Sequence, residues 1–410
     1  MIARSDVGHT DEHSTLLASV EKIVAEVVSP LAPATDRDGT FPAEQIAALA
    51  AGGVGGLLMP EHLGGQGTSM ATYAESLAAI SAACGSTSTV YMTQMHCAHP
   101  IHVQGRKSQQ EAWIPRICAG AAIGAIALTE PEAGSDVASM RTTARREGDT
   151  FVLNGQKNWI SYASVADHAL VFAKTDPGAG HKGISAFVLE KGMRGFTARD
   201  TENKLGIWAG STGELFFENV EVPAENLVGE EGQGFEIAMY GLDQGRFTVA
   251  AGACGVIRAC LERSVEYARE RETFGQRIGK YQFVQDMLAK MVLGYETSKL
   301  LVMQAAWMKN EGRRNTRETS LAKWHATESA FEAAHLAIQI FGSYGYSAEY
   351  GIERYFRNAR APIIYEGTTQ IHKMMQAEHA LGYRALNGRG GDVSPLCSWA
   401  PALSPVHASR

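Results

Sequence analysis

Hydrophobic positions along this chain change their spacing twice, which divides the sequence into three blocks. In the first block, up to about residue 124, alanine- and leucine-rich segments end at Gly, Pro or Ser, as in EQIAALAAGG and ATYAESLAAISAACGS. This pattern is typical of helices with defined stops. In the second block, up to about residue 233, short runs rich in Val, Ile, Phe and Leu are separated by Gly, Pro and Asp. Such runs predict strands.

The third block returns to a helical spacing. Phe247, Ala251 and Cys254 begin a series of apolar residues at steps of three and four, and similar series follow. Long amphipathic helices in succession predict a bundle. We therefore expect an α+β protein with an N-terminal helical domain, a middle antiparallel β-barrel or sandwich and a C-terminal four-helix bundle. The predicted limits are 1–124, 125–233 and 234–385, followed by a flexible tail at 386–410.

A hairpin turn is predicted inside the middle block. Asn154 and Gly155 lie between two extended runs in TFVLNGQKNWIS. Asn-Gly favours the two-residue turns that join antiparallel strands, so we expect the chain to reverse there.

Three evenly spaced histidines raise the question of a metal site. His96, His99 and His102 occur in HCAHPIHV, but Pro100 should interrupt any helix that would align them. The run also contains no Asp or Glu. We therefore expect no bound metal there.

Composition narrows the class of protein. The 410 residues are 45% hydrophobic and 20% charged, and the net charge of −7 gives no electrostatic support for a nucleic-acid partner. Six scattered cysteines without a CxxC pair favour reduced thiols.

The N-terminus resembles neither a signal nor a transit peptide, and the longest apolar stretch is too short to span a bilayer. We expect a cytoplasmic protein with no membrane association. No GxGxxG follows a strand, which argues against a Rossmann nucleotide site.

Three segments carry candidate binding chemistry, each with a plainer alternative. ALTEPEAGSD (127–136) places hydroxyls and backbone donors on a loop that could hold a planar heterocycle, or it is an ordinary capped turn. KNWIS (157–161) puts an indole beside a hydroxyl, as ring stacking requires, or contains a core tryptophan. ARERETFGQRI (268–278) should break a helix at Gly275, and its arginines could hold a diphosphate or belong to a solvated helix end.

A fourth segment, APIIYEGTTQIHK, places a carboxylate where an apolar run ends. Glu366 directly follows Ile363, Ile364 and Tyr365, and Gly367 comes next. Apolar surroundings destabilise a charged carboxylate, so we expect Glu366 to have a raised pKa that suits a general base. Gly367 would let a substrate approach the backbone closely.

Taken in order, these segments resemble the acyl-CoA dehydrogenase family over about residues 15 to 385. The motifs are LTEPEAGSD, NGQKNWIS, LDQGRFTVAAG, RERETFGQ, QIFGSYGY and YEGTTQI. The resemblance implies FAD as the cofactor, three domains that enclose it as described above, and a homotetramer. The LD-x-GR form is similar to the short-chain members.

The resemblance also implies roles for individual residues. Glu366 matches the catalytic base, which removes the pro-R α-proton while the β-hydride passes to flavin N5; its backbone N–H and a ribityl hydroxyl hold the thioester oxygen. The residues implied on the substrate side are Ser135, Asp243, Arg246 and Gly367. The residues implied to contact FAD, some of them from a neighbouring subunit, are Leu128, Thr129, Ser135, Trp159, Ser161, Arg271, Thr273, Phe274, Gln282, Gln339, Gly342, Ser343, Thr368 and Gln370.

Several positions depart from the family's pattern. Some relatives carry the base on the bundle helix just before the arginine, where this chain has Gly245. Glu132 and Ser343 stand where glycine is common, Tyr162 begins a Tyr-Ala pair in place of Asn-Gly, and Trp208 replaces a frequent arginine. These departures concern substrate identity and partner docking more than FAD binding.

The leading interpretation is oxidation of an acyl-CoA to a trans-2-enoyl-CoA, with an electron-transfer flavoprotein as acceptor. An acyl group on a carrier protein would use the same pantetheine arm, so that alternative stays open. A flavin monooxygenase on this fold commonly lacks the base, and a non-catalytic flavoprotein has no use for one. Glu366 therefore disfavours both.

Overall fold

The computed structural model describes residues 11–383, and the tail predicted at 386–410 lies outside them. The described chain begins with helices, in which α1 continues into α2 through a π-helical turn at Val24–Val28. Ser69 caps α4 by accepting a hydrogen bond from the Thr72 N–H. The helices are α1 (Asp11–Ile23), α2 (Ser29–Asp38), α3 (Ala43–Ala51), α4 (Met70–Ala83), α5 (Gly85–Gln104) and α6 (Lys107–Cys118).

Helix α5 runs through Pro100, so the predicted interruption is wrong. Proline removes one backbone donor from a helix, but packing can hold the helix together around it. Met95, Cys97, Ala98 and Ile101 are all buried on this helix. Tertiary burial therefore outweighs the local cost of the proline.

An eight-stranded sheet follows, with the order β6-β7-β3-β2-β4-β5-β8 and β1 beside β4. Its neighbouring strands are antiparallel, except that β4 pairs in parallel with β1 and at one position with β2. The rest of the sheet is antiparallel as expected, and the β2–β3 hairpin separates the parallel strands β1 and β4 in the chain. The strands are β1 (Gly124–Ala127), β2 (Thr143–Glu147), β3 (Thr150–Ser161), β4 (His168–Lys174), β5 (Ile184–Glu190), β6 (Phe196–Asp200), β7 (Thr212–Pro223) and β8 (Leu227–Val228).

The Asn-Gly pair does not form the hairpin turn. Asn154 and Gly155 lie inside β3, and the chain reverses between β2 and β3 at residues 148–149. A register shift against β7 falls between Leu153 and Gly155, and the Asn154 side chain bonds both the side chain and the backbone N–H of Asn219. The extra residue lies on β7, where residues 218–219 stand opposite Asn154 alone, so the pair lies in a continuous strand facing a bulge of its neighbour.

Strand β4 is buried on both faces. Leu170 and Phe172 join the core shared with the helices, whereas Val171 and Ala173 pack with the opposite side of the sheet. Successive side chains of a strand point to opposite faces, so a strand between two cores has no polar face. This position explains the unbroken apolar run of HALVFA.

The C-terminal part is helical. Helix α7 packs against α8 and α9, α12 packs against α9, and α4 and α5 from the N-terminal part also pack against α7. Helix α7 ends at Glu270, before the break predicted at Gly275, which instead forms the turn of a short hairpin. The elements are α7 (Gly234–Glu270), β9 (Glu272–Thr273), β10 (Gln276–Arg277), α8 (Gln282–Asn310), α9 (Thr316–Phe341), α10 (Ser343–Tyr346), α11 (Glu353–Ala359) and α12 (Thr369–Ala380).

The predicted succession of helical, β and helical parts is confirmed, while the limits between domains stay predictions. No helix within residues 11–383 is long and apolar enough to cross a membrane. The five cysteines of this range are buried free thiols, and burial raises the pKa of the Cys97, Cys254 and Cys260 thiols to about 12 and that of Cys118 to about 11. Cys397 lies outside the described range.

Candidate active site

Glu366 lies in a tight turn between α11 and α12. Its backbone φ is 56° and that of Gly367 is 90°, so two successive residues are in the left-handed region. A non-glycine residue in this region is strained unless its surroundings hold it. The Lys323 ammonium donates to the Gly367 carbonyl at 2.6 Å, and the Thr369 N–H donates to the Ile363 carbonyl at 3.2 Å. The turn itself therefore requires glycine at 367, before any substrate is considered.

The Glu366 carboxylate points into the protein between two helices. Its side chain is only 14% exposed, and Oε1 lies 3.2 Å from His96 Nδ1 on α5. Oε2 has no hydrogen-bond partner within the described residues. It faces Gly245 on α7, where a β-carbon would lie 2.3 Å away. Gly245 thus provides the space that the carboxylate occupies.

The pKa of Glu366 is lower than expected from the sequence. Burial raises this pKa, but His96, Arg246 and Lys323 lower it, and the net shift is below the ordinary value. The expected rise is wrong because three side chains from different helices together outweigh burial, which is the largest single effect on this pKa. Burial in turn lowers the pKa of Lys323 to about 7, against the attraction of Glu366.

A buried ion pair continues this polar cluster along α7. Arg246 donates to Asp243 Oδ1 at 2.9 Å, and Thr316 donates to Asp243 Oδ2 at 2.6 Å. Lys309 donates to the Asp243 carbonyl at 3.3 Å, and burial lowers its pKa to about 8. Arg246 and Lys323 both lower the pKa of Glu366, so the cluster surrounds this carboxylate with buried positive charge.

The two segments predicted to face a ring are joined by hydrogen bonds. The Asn158 N–H donates to the Thr129 carbonyl at 2.9 Å. Lys157 donates to the Leu128 carbonyl at 3.1 Å and to Glu130 at 2.8 Å, and both side chains of this ion pair are buried. The loop after β1 and the end of β3 therefore form one unit.

Trp159 stands at the edge of that unit. Its side chain is 61% exposed and its φ is 58°, so the indole is turned out of the sheet. Ser161 is half-buried at the end of β3, and Ser135 is exposed on the loop. Tyr162 is buried, and its pKa is raised by burial with a smaller effect from Tyr365, so the end of β3 lies near the Glu366 turn.

A second group of predicted residues lies where the ends of α7, α8 and α9 meet. Phe274 is 99% exposed with a φ of 49°, and the Arg271 guanidinium lies 5.8 Å from the centre of the Tyr344 ring. The Thr273 carbonyl accepts from the Tyr281 hydroxyl at 2.7 Å. The other exposed members of this group are Gln282, Gln339, Gly342 and Ser343.

Two predicted residues belong to α12. Thr368 caps this helix, and its hydroxyl accepts from the Ile371 N–H at 3.4 Å. Gln370 is exposed on the first turn. Both follow the Glu366 turn directly in the chain.

Sequence reasoning missed His96 and Lys323 as neighbours of Glu366. The sequence draws attention to His96 only as a metal ligand together with His99 and His102, and His99 instead contacts Tyr240 through a 2.8 Å hydrogen bond. Within residues 11–383 there is no group of three or more His, Cys, Asp or Glu that could hold a metal ion. A signal for Lys323 did exist, because a lone lysine beside Ala322 and Ala326 interrupts the small-residue face of α9.

The departures from the family's pattern have structural partners. The Trp208 ring lies 3.8 Å from the Arg357 guanidinium, and Arg357 also pairs with Asp36, so the β6–β7 loop, α11 and α2 meet there. The Tyr162 hydroxyl lies 2.6 Å from Thr89 Oγ1. Glu132 makes an exposed ion pair with Arg141.

Comparison with known proteins finds acyl-CoA dehydrogenases and related enzymes that resemble this chain over most of its length. The human mitochondrial short-chain specific acyl-CoA dehydrogenase is 40% identical over 379 residues, which are 92% of each chain. A glutaryl-CoA dehydrogenase from Mycobacterium smegmatis solved with FADH2 is 30% identical, has a TM-score of 0.87 and covers 94% of this chain and 97% of its own. The prolyl acyl carrier protein oxidase AnaB is 32% identical, has a TM-score of 0.88 and covers 90% and 99%.

Three sequence models of one family match consecutive parts of the chain. The acyl-CoA dehydrogenase N-terminal domain matches residues 10–121, the middle domain residues 125–220 and the C-terminal domain residues 232–381. The expectation of an FAD-dependent oxidoreductase is confirmed at the level of this family. With its fold, its buried carboxylate and these matches taken together, the chain belongs to the acyl-CoA dehydrogenase family.

Proposed function

We propose that this protein oxidises a short-chain acyl-CoA to a trans-2-enoyl-CoA and that Glu366 is the base. The observation that carries the proposal is the buried Oε2 of Glu366, which has no partner in the described chain. Buried polar atoms are nearly always hydrogen-bonded, so an exception calls for a functional reason. A base needs a free lone pair at a fixed position, and Oε2 supplies one.

The residues around Trp159 fit a bound FAD. The exposed indole lies on the same unit as the Thr129 and Ser161 side chains, so a flat ring could stack on it and receive directed hydrogen bonds. FAD, when bound, supplies the acceptor for the hydride that leaves Cβ. The proposed ring contacts are Leu128, Thr129, Ser135, Trp159 and Ser161, with Thr368 and Gln370 beside the base.

The charges around Glu366 suit the negative charge that develops on the thioester. Arg246 and Lys323 are buried, and positive charge acts strongly where water is excluded. We propose that the Glu366 N–H donates to the thioester oxygen, while Asp243 and Arg246 define the substrate side and Gly367 lets the acyl group approach. These roles follow from the resemblance and from the surroundings just described.

The exposed group at the helix ends suits a second copy of the chain. Phe274 and Arg271 would contact FAD of a neighbouring subunit, with Thr273, Gln282, Gln339, Gly342 and Ser343 lining the same nucleotide. Nothing within residues 11–383 of this chain covers Phe274. We propose a homotetramer in the cytoplasm that passes electrons to an electron-transfer flavoprotein.

A carrier-bound acyl group is the second candidate substrate. The similar AnaB is a prolyl acyl carrier protein oxidase, which is the specific reason to retain this candidate. Both substrates present a thioester to the same base. The site around Glu366 therefore serves either reaction.

Anaerobic reduction of the flavin tests the function. The FAD-loaded protein is mixed with acyl-CoA thioesters of increasing length and with acyl groups on a carrier protein, and flavin bleaching is followed in a single turnover. We expect butyryl-CoA to bleach the flavin of the wild type. Glu366→Gln should retain FAD and bleach at least about 10²-fold more slowly, because an amide cannot accept the proton.

Glu111→Gln is the matched control, since it makes the same change in an exposed carboxylate on α6. It should bleach at the wild-type rate. Near-normal bleaching by Glu366→Gln would place the base elsewhere. If only carrier-bound thioesters bleach the flavin, the substrate is an acyl group on a carrier protein and not an acyl-CoA.

A further inference from the structure

We propose that His96 is a positioning residue for Glu366. Its Nδ1–H donates to Oε1 and so leaves Oε2 as the atom that accepts the α-proton. The inference rests on the proposed role of Glu366 as the base.

The contact between the two side chains requires one hydrogen between them. Oε1 and Nδ1 are 3.2 Å apart, and an ionised carboxylate can only accept. Nδ1 must therefore be the donor whenever Glu366 is ionised and ready to act. Oε1 is then occupied, whereas Oε2 keeps its lone pairs free.

The His96 ring is also held from its other side. Nε2 lies 3.0 Å from the Thr248 hydroxyl, which donates its one hydrogen either to Nε2 or to the Gly245 carbonyl 2.9 Å away. The ring is thus fixed between Glu366 and α7, and it is buried. A carboxylate bonded to a fixed ring has one orientation.

The space on α7 selects the same orientation. A β-carbon at Gly245 would lie 2.3 Å from Glu366 Oε2 and 2.9 Å from His96 Cε1. Both side chains therefore pack into the gap left by this glycine. Their arrangement depends on three elements: α5, α7 and the turn before α12.

His96 differs from the other charged groups that face Glu366. Arg246 on α7 and Lys323 on α9 lower the pKa of Glu366 by their charge, but their hydrogen bonds go to Asp243 and to the Gly367 carbonyl. His372 on α12 lies against Gly367, and burial lowers its pKa to about 3, so it is neutral at working pH. Tyr365 is half-buried, and its pKa is raised by burial, so it stays neutral as well. His96 is therefore the direct donor to the carboxylate among the described residues.

This arrangement predicts a pH effect with a definite sign. A hydrogen bond to the ionised form lowers a carboxylate's pKa, so loss of the donor should raise the pKa of Glu366. The base acts only when ionised. The acid limb of its activity should therefore move to higher pH by about one unit or more when the donor is removed.

Acetyl-CoA isolates the proton transfer, because its acyl group has α-hydrogens but no β-carbon. We measure its α-hydrogen exchange with D2O by mass spectrometry, across pH, on the FAD-loaded protein. In His96→Leu, which removes the donor, the acid limb should move up by about one unit or more, and exchange on that limb should fall about tenfold. His96→Asn keeps an N–H near the position of Nδ1 and should recover most of the shift.

Thr248→Val loosens only the far side of the ring and should move the limb in the same direction by less. His99→Leu is the matched control, a buried histidine on the same helix bonded to Tyr240, and its limb should stay in place. Exchange that falls equally at every pH in His96→Leu, or an Asn variant no better than Leu, would overturn the inference. Wild-type exchange by Glu366→Gln would instead refute the proposed base.

Discussion

At the scale of single residues, the space beside Glu366 matters as much as its charge. The carboxylate occupies the gap at Gly245, and it is held in a left-handed turn by Lys323. Neither constraint involves the apolar residues that precede it in sequence. The position of the Glu366 carboxylate is therefore set by space on α7 and by a hydrogen bond from α9.

Gly245→Ala tests that space. A β-carbon 2.3 Å from Oε2 must displace the carboxylate, so flavin bleaching should slow by about 10²-fold or more while FAD stays bound. Gly241→Ala is the control on the same helix, one turn earlier, where the new β-carbon would approach Pro100 only to 3.4 Å. It should bleach within about threefold of wild type. Equal rates for the two variants would contradict the account of Gly245.

The motif singles out Glu366 and Gly367 as candidate site residues, but it does not predict which side chains surround them. His96 is 270 positions away from Glu366 in the chain and meets it only because α5 packs against α7. The direction of the pKa shift depends on such through-space neighbours. The local apolar run therefore suggested the wrong sign.

At the scale of elements, one ion pair joins the loop after β1 to β3. Lys157 is fully buried, and burial lowers its pKa to about 8 against the attraction of Glu130. Glu130 also accepts from the Arg141 and Thr142 N–H groups, so it holds the start of β2 as well. Trp159 lies two residues after Lys157 on β3, so this ion pair anchors the strand end that carries the indole.

Lys157→Met should lower the free energy of unfolding by about 3–5 kcal/mol, because it leaves the Glu130 charge buried without its counterion. Urea unfolding of the FAD-free protein measures the loss, and the variant should also release FAD more readily. Lys107→Met, which breaks an exposed pair with Glu111, should cost less than about 1 kcal/mol. The double variant Lys157→Met/Glu130→Gln should recover part of the loss. No recovery would show that the buried charge is not the cause.

The helices were easier to predict than the details of the sheet. The spacing of Phe247, Ala251 and Cys254 predicts α7, although every residue from 244 to 257 is buried and these positions mark only part of its buried surface. Asn154-Gly155 misled because the dipeptide lies in a continuous strand opposite a bulge of β7, and only the pairing with β7 shows this. Such pairing is a long-range property that local pattern does not contain.

At the scale of the whole molecule, α8 exposes an apolar face. Leu293, Leu300 and Trp307 are exposed at intervals of seven residues, so they share one side of the helix. Phe274 and Phe283 are exposed near the N-terminal end of the same helix. Contiguous exposed apolar residues mark an interaction surface. In the proposed tetramer, a second copy of this chain would cover this surface.

Leu300→Glu should therefore reduce the oligomer to smaller species, because a charge cannot be buried there without a partner. FAD retention should fall with it if Arg271 and Phe274 act across the interface. Light scattering and flavin content after gel filtration measure both. Val103→Glu, the same charge on an exposed α5 position, is the control and should leave the assembly intact. A stable FAD-loaded monomer in the wild type would rule out the cross-subunit role.

The buried thiols described above are natural probes of local opening of the structure. Thiolates react with alkylating reagents and protonated buried thiols do not, so Cys97, Cys118, Cys254 and Cys260 can be labelled only while the structure around them is open. Cys97 and Cys118 lie on α5 and α6, whereas Cys254 and Cys260 lie on α7. The order in which these positions become labelled therefore records how often each region opens, without any engineered probe.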